Sequence, residues 1–387
     1  MTFSRLVWAV GVAVLFLATL AALQVAGALP LGYDSRAYWL AAQHLVGGER
    51  LYAQPDAVLG TPDEFHYLPI VAVPFVALLP FPIGTAVRIF LVLQIALALV
   101  LGYVLIKALP RAAQPWAAAA YVFFLPMVLE VTLGNVDLIS LALALLAWHW
   151  RARVNTSALA LAAAVGIKFL PAIMLPFYIA AGRGRTVLRA FLLGVVALAV
   201  TLPLLWQPTR EYIELLPRYA DPNWAREHLR REDPVFLANI LWSEAFPIVV
   251  GLAALAAAIV CGRMARRDPS RETDWHHVAL ALSPYFTPFG FFWTTFLITS
   301  LPLFAVTLPR ALALPAGLRS VAVAGLVVAW ALMQLVQLET LWVPVYHAAG
   351  VVLLLGIALA LIARERGTDQ VLGRSTPRSR ATSSASG

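Results

Sequence analysis

The chain is poor in cysteine and in charged residues of every kind. Cys261 is its one cysteine, which excludes an intramolecular disulfide and a metal centre built on several thiolates. Charged residues make up 12% of the 387 residues and hydrophobic residues 61%, a balance that excludes an ordinary soluble domain. The sequence therefore predicts an all-α, polytopic membrane protein.

Lysine is almost as scarce. The net charge of +8 comes from arginine, since the chain has twenty-six arginines and two lysines. The arginines lie in short clusters between apolar runs, which is the positive-inside pattern of membrane proteins and argues against nucleic-acid binding. Arg5 near the start and Arg364 and Arg366 near the end predict cytoplasmic N- and C-termini in a multi-pass protein of the cell membrane.

The apolar runs predict about twelve transmembrane helices, within a range of about 10–14, in one domain over residues 1–366. Leu6 to Leu29 is longer than the apolar part of a signal peptide, which is roughly 7–15 residues, so we predict an uncleaved helix. Ser157 to Ala181 is flanked by arginines on both sides, so we predict two short helices that break between Gly166 and Pro171. Residues 367–387 are predicted to be a disordered cytoplasmic tail.

Two polar segments, residues 30–68 and 207–234, are predicted to be extracytoplasmic loops that carry short interfacial helices. The prolines between Tyr67 and Phe81 favour a short helix at the interface over a full span. Long polar loops in an otherwise apolar chain are where we expect the chemistry.

The first loop opens with Gly32-Tyr33-Asp34-Ser35-Arg36 and combines a carboxylate with aromatic and cationic side chains. Asp34 is the candidate catalytic group. Tyrosines of the same loop are candidate substrate-binding residues: Tyr33, Tyr38, Tyr52 and Tyr67. Arginines of the two loops are candidate contacts to a phosphate: Arg36, Arg218 and Arg230.

Lys168 lies in the middle of an apolar stretch, beside the predicted helix break. A cation at membrane depth is costly unless it is paired, so the sequence predicts an anionic partner. A lipid phosphate is one candidate, and Asp34 and Asp137 are two others. The alternative is a lysine that snorkels towards the membrane surface.

Asn135 and Asp137 follow Gly134 in a predicted outer turn. They are candidate substrate-binding residues, and the alternative is that they only cap the following helix. The chain has no zinc-binding His-x-x-x-His pattern, no phosphate-binding glycine loop and no Gly-x-Ser-x-Gly motif. His276 and His277 are predicted to be an interfacial pair, so no metal site is predicted.

Several segments in order resemble the polyprenol-phosphate-mannose-dependent mannosyltransferases of glycosyltransferase family 87, membrane enzymes of the GT-C class. The segments are Tyr33-Asp34-x-x-x-Tyr38, Gly47 to Tyr52, Phe65 to Pro69, Gly134 to Leu138 and Gly166 to Pro171. Asn135 stands where the family often has glutamine. Ser283 to Pro288 departs from the family's usual Ser-Pro-x-x-Trp-x-His segment.

The resemblance implies a GT-C-like fold and inverting transfer of a hexose, mannose above all, from a polyprenyl-phosphate donor. The acceptor is expected to be a glycan or a lipid-linked glycan on the extracytoplasmic face. The resemblance also implies Asp34 as the general base, with no metal and no other cofactor. The alternative function is a transporter or flippase of lipid-linked saccharides, for which we would expect related halves with midplane charges in both.

Overall fold

A computed structural model describes residues 3–25, 31–52, 65–219, 245–286, 294–334 and 343–371. These residues form α-helices and short 3₁₀ helices, and no strand occurs among them. The α-helices are α1 Phe3–Val25, α2 Tyr33–Gly47, α3 Ile83–Lys107, α4 Gln114–Val122, α5 Leu125–Leu133, α6 Asp137–His149, α7 Val154–Ile167, α8 Met174–Ala180, α9 Gly184–Tyr219, α10 Ala245–Arg267, α11 Glu272–Ala281, α12 Leu301–Leu312, α13 Ala316–Met333 and α14 Val343–Val371. The 3₁₀ helices are Pro69–Val71, Val73–Leu78, Leu170–Ile173, Pro269–Arg271, Ser283–Tyr285 and Thr294–Ser300.

Six of the described helices are long and apolar enough to cross a membrane, and α4 with α5, bent by 48°, would make a seventh. The helical content and the candidate spans confirm the predicted fold class, an all-α polytopic membrane protein. The count of about twelve spans is not confirmed. Several of the predicted spans are shorter than a bilayer requires. The 13 residues of α6, for example, extend about 20 Å, whereas the hydrocarbon layer is about 30 Å thick.

The helix break predicted near Lys168 is present. α7 ends at Ile167, and Lys168 is extended, with φ −152° and ψ 142°. A 3₁₀ turn, Leu170–Ile173, then leads into α8. Pro171 lies in this turn, where its missing N–H interrupts no α-helical hydrogen bond.

The second predicted loop begins within a helix, since α9 continues to Tyr219. Its backbone is non-helical only at Leu205, where the helix kinks. Pro208 follows in the first turn after the kink, a position at which a proline costs little. Residues 220–234 of the predicted loop lie outside the described part of the chain. At the other end, α14 continues past Gly367 to Val371, and residues 372–387 are again outside the described part.

The first outer loop is anchored by an aromatic cluster. Tyr38 on α2 is fully buried, and its ring centroid lies 4.9 Å from that of Phe75 and 6.2 Å from that of Phe65. Phe90 on α3 completes the cluster, with its centroid 5.0 Å from that of Phe75. Burial of these rings fixes α2, and with it Asp34, against the end of the helical bundle.

The histidine pair is buried among the helices of the protein. His276 and His277 are 0% and 8% exposed. The His276 ring stacks on Trp148 of α6 at 4.5 Å, and Phe177 of α8 approaches it edge-on. The charges around the pair indicated the edge of the membrane but carried no information about how α11 packs against α6 and α8.

Candidate active site

Three segments that are distant in the sequence meet at one end of the bundle: the start of α2, the turn between α5 and α6, and the break after α7. Gly32, with φ 69°, donates its N–H to the carbonyl of Thr132 at 2.8 Å. A Cβ on Gly32 would lie 2.2 Å from Val87 Cγ1, and a Cβ on Gly134 would lie 2.9 Å from Ser35 Cβ. The two glycines therefore permit the close approach that brings Asp34 next to the turn.

Asn135 is the centre of the polar network. Its Nδ2 donates to Asp34 Oδ2 at 2.6 Å. Its Oδ1 accepts from the Tyr67 hydroxyl at 3.2 Å and from the Asp137 N–H at 3.2 Å, with Lys168 Nζ at 3.5 Å. Asn135 thus accepts one backbone N–H at the start of α6, and the same side chain also connects Asp34 to Lys168.

Lys168 forms an ion pair with Asp137, one of its predicted partners, with 2.5 Å between Nζ and Oδ1. The other oxygen of Asp137 accepts from the Thr295 hydroxyl at 2.9 Å. The lysine side chain is 14% exposed and the aspartate side chain 1%, and the ammonium lies 4.6 Å from the ring centroid of Phe296. This cation is paired inside the protein and does not snorkel.

Asp34 lies in α2, outside the membrane-spanning helices, and is half-buried. Burial raises the pKa of its carboxyl group to about 6, although the charge of Lys168 and the hydrogen bond from Asn135 oppose this rise. Burial also raises the pKa of the Tyr67 phenol above its usual range, so this hydroxyl remains a donor. At neutral pH the site therefore holds a carboxylate with raised basicity, one side chain away from a fixed ammonium group.

The model of one family, glycosyltransferase family 87, matches residues 65–288 of the chain, which is more than half of its length. The chain belongs to glycosyltransferase family 87. It is thus a membrane glycosyltransferase that uses a sugar donor and an acceptor. The matched region contains Tyr67, Asn135, Asp137 and Lys168, whereas Asp34 precedes it. No curated protein and no solved structure matches the chain.

The tyrosines predicted to bind substrate occupy different positions in this glycosyltransferase. Tyr67 is partly exposed and contacts Asn135, and Tyr33 is partly exposed beside Asp34. Tyr52 is buried and donates its hydroxyl to the carbonyl of Tyr67 at 2.7 Å. Tyr38 is completely buried beneath Tyr67, with 5.2 Å between the ring centroids. Tyr52 and Tyr38 therefore support Tyr67 and are not open to a ligand.

Of the predicted phosphate-binding arginines, the structure describes the side chain of Arg36 alone. Arg36 is exposed and lies two residues after Asp34 on α2, a spacing that directs the two side chains to different sides of a helix. Arg230 and the side chain of Arg218 lie outside the described residues. Among those that are described, no group of three or more His, Cys, Asp and Glu side chains is arranged to hold a metal ion.

Sequence reasoning missed Glu130, a completely buried residue of α5. Its Oε1 accepts the N–H of Leu138 at 2.8 Å, and its carbonyl accepts the N–H groups of Gly134 and Asn135 at 3.1 and 3.2 Å. Glu130 thus holds both ends of the turn that presents Asn135 and Asp137. A glutamate inside an apolar helix was a signal available from the sequence. Thr295 gave no such signal, because an isolated threonine in an apolar segment is ordinary.

Proposed function

We propose that the chain transfers a hexose, mannose above all, from a polyprenyl-phosphate donor to a hydroxyl group of a glycan or lipid-linked acceptor. The observation that carries this proposal is the network Asp34–Asn135–Lys168–Asp137. It puts a carboxylate of raised pKa beside a fixed cation at the end of the bundle. A donor with a polyprenyl tail needs a site of this kind at the membrane surface, where the tail can stay in the lipid.

In the proposed reaction, Asp34 accepts the proton of the acceptor hydroxyl as its oxygen forms a bond to the anomeric carbon. The bond from that carbon to the phosphate oxygen breaks, and the phosphate leaves with the electron pair and the negative charge. Lys168 stabilises that charge. A single displacement of this kind inverts the configuration at the anomeric carbon.

The pairing of Lys168 with Asp137 is compatible with a role at the phosphate. An ammonium group has three N–H donors, and only the contact to Asp137 is short. The contacts to the Tyr67 hydroxyl and to Asn135 Oδ1 are both 3.5 Å long, and a phosphate oxygen would replace them readily. We propose Tyr67 and Tyr33 as the lining of the sugar site, with Asn135 and Asp137 holding Asp34 and Lys168 in position behind it. Arg36, Arg218 and Arg230 are proposed as further phosphate contacts from the outer loops.

We further propose that this site is extracytoplasmic and that both termini are cytoplasmic. The distribution of arginines supports this orientation, because Arg151, Arg183, Arg271 and Arg310 lie at the end of the bundle away from Lys168. The rival function, a transporter or flippase of lipid-linked saccharides, is disfavoured by membership of a glycosyltransferase family and by the restriction of the polar network to one end.

The test is to incubate purified protein with radiolabelled polyprenyl-phosphate mannose and a panel of glycan acceptors. We expect labelled product with inverted anomeric configuration. Asp34→Asn should reduce turnover by roughly 10²-fold or more while the donor still binds. Glu49→Gln is the matched control, since this carboxylate in the same loop has a side chain that is 70% exposed. Full turnover in Asp34→Asn, or translocation of the donor without transfer, would overturn the proposal.

A further inference from the structure

A second basic site lies at the other end of α8 from Lys168. The last turns of α10 carry Arg263, Arg266 and Arg267, which line a cavity of about 500 Å³ together with Ile179 and Ala180 of α8. The 3₁₀ turn and α8 between Lys168 and this cavity extend roughly 20 Å. The cavity is therefore distinct from the candidate active site.

The walls of the cavity are fixed by close backbone contact between the two helices. A Cβ on Gly262 would lie 2.3 Å from the carbonyl oxygen of Phe177 and 2.7 Å from Ala180 Cβ, so only glycine allows this approach. Arg266 packs over Gly182, whose φ of 81° turns the chain at the end of α8. The arginines thus project from a rigid junction and not from a loop.

The three cavity arginines differ from Arg151, Arg183 and Arg310, which lie at the same end of the molecule. Arg151 and Arg183 contact Glu272 at 3.3 and 2.7 Å, and Arg310 contacts Asp274 at 2.8 Å. By contrast, no carboxylate of a described residue lies within ion-pair distance of Arg263, Arg266 or Arg267. Within the described part of the chain, the three positive charges of this cavity therefore have no carboxylate counter-ion.

We propose that this cavity binds the phosphate of an acidic phospholipid. Guanidinium groups match phosphate oxygens in geometry and charge. The cavity is at the end of an apolar span, Ile248–Arg267, where headgroups are expected. Ile179 is 58% exposed beside the arginines and offers an apolar surface to an acyl chain, which favours a lipid over a free phosphate.

The experiment measures lipid binding to detergent-purified protein by native mass spectrometry, with phosphatidylglycerol, phosphatidylcholine and sn-glycerol 3-phosphate as probes. The test variant is Arg263→Gln/Arg266→Gln/Arg267→Gln. The matched control is Arg111→Gln/Arg153→Gln/Arg319→Gln, which removes the same charge from exposed arginines outside the cavity. We expect the test variant to bind phosphatidylglycerol about 10-fold more weakly or worse, with the control changed by less than about 3-fold.

Phosphatidylcholine should bind equally to the wild type, the test variant and the control. Ile179→Ser should weaken the binding of phosphatidylglycerol and leave the binding of the other two probes unchanged. Equal losses in the two triple variants would overturn the proposal, because general surface charge would then explain the affinity. Glycerol 3-phosphate bound as tightly as phosphatidylglycerol would also overturn it, because the cavity would then be a site for soluble phosphates.

Discussion

At the scale of single residues, the raised pKa of Asp34 links function to stability. The folded protein prefers the protonated carboxyl group, because its pKa is about 6 and the ordinary value is 3.8. The contribution of this group to stability is therefore greatest below pH 3.8 and declines as the pH rises to about 6. At neutral pH the ionised carboxylate destabilises the fold, which is expected of a group placed for reactivity.

The first prediction follows from the upward direction of this pKa shift. Asp34→Asn should lower activity and yet raise the thermal unfolding temperature at pH 7.5, because the charge that opposes folding is removed while Asn135 keeps its acceptor. At pH 4 the two proteins should unfold at closer temperatures. Unfolding would be followed by intrinsic fluorescence in detergent. A lower unfolding temperature for the variant at pH 7.5 would contradict the raised pKa.

The second prediction concerns the hydrogen bond from Asn135 to Asp34. The pH profile of kcat/KM should fall on the acidic side near pH 6, where the base becomes protonated. Asn135→Leu removes a donor that stabilises the carboxylate, so the pKa of Asp34 should rise and the acidic limb should move to higher pH. Thr295→Val is the control, because it changes a partner of Asp137 only. An acidic limb that does not move in Asn135→Leu would exclude Asp34 as the titrating base.

The third prediction separates the structural role of Lys168 from its proposed role at the phosphate. Lys168→Met leaves Asp137 buried without its cation, which should cost about 3–5 kcal/mol of stability. The double variant Lys168→Met/Asp137→Asn should recover most of this stability but not the affinity for the donor. Removing the exposed pair Arg210–Glu214 should cost less than about 1 kcal/mol. A double variant with wild-type donor affinity and turnover would reject the phosphate role.

At the scale of elements, the turn between α5 and α6 is the part that aligns the site. Glu130 forms hydrogen bonds with both ends of this turn. Gln94, on α3, donates a hydrogen bond to the carbonyl of Asn135. Asn135 and Asp137 each contact a different segment, so a shift of this turn would move Asp34 and Lys168 relative to each other. A displacement of about 1 Å at a reacting centre can reduce a rate 10²-fold.

The fourth prediction tests this positioning role of Glu130. Glu130→Gln keeps an oxygen that accepts the Leu138 N–H, so kcat should stay close to that of the wild type. Glu130→Leu loses this acceptor and should reduce kcat about 10²-fold at equal folded amount, with a smaller change in KM. Met127→Leu controls for a core change on the same helix. If kcat is as low in Glu130→Gln as in Glu130→Leu, the prediction is contradicted. The charge of Glu130 would then matter, and not its hydrogen bond to the turn.

Much of the site was predictable because its residues contrast with their surroundings. The site consists of polar residues beside apolar runs: Asp34, Asn135, Asp137 and Lys168. Polar and charged side chains cost free energy in such places, so their presence indicates a function. Their pairing was not predictable to the same degree: a lipid phosphate was a candidate partner of Lys168, and so were Asp34 and Asp137. Glu130 and Gln94 act through contacts with other helices, which a single sequence does not encode locally.

The helices, like the site, were predictable from the sequence only in part. The break at Lys168 was predictable, because two flanking arginine clusters and Pro171 are local features. The count of about twelve spans is not confirmed among the described residues, because apolar runs such as α6 and α7 form helices of only 13 and 14 residues, which hydropathy does not distinguish from full spans. The direct continuation of α9 through Leu205 was not predicted, because Pro208 suggests a break in the helix unless the kink before it is known.

At the scale of the whole molecule, the two ends of the bundle differ in charge. One end carries Asp34 and the Lys168–Asp137 pair. The other carries the arginines that pair with Glu272 and Asp274, and the arginines of the α10 cavity. This asymmetry is the basis of the proposed orientation, since arginine-rich ends are retained on the cytoplasmic side.

The fifth prediction tests that orientation in a background in which Cys261, which is buried, has been changed to alanine. Glu49→Cys lies at the end of α2 on the side of the candidate active site, and Ser270→Cys follows α10 at the opposite end. Both positions are exposed, so access to them depends on the side of the membrane alone. A membrane-impermeant maleimide should label Glu49→Cys in intact cells and label Ser270→Cys only after the membrane is opened. Labelling of Ser270→Cys in intact cells would reverse the orientation, and the donor and acceptor would then have to be sought on the cytoplasmic face.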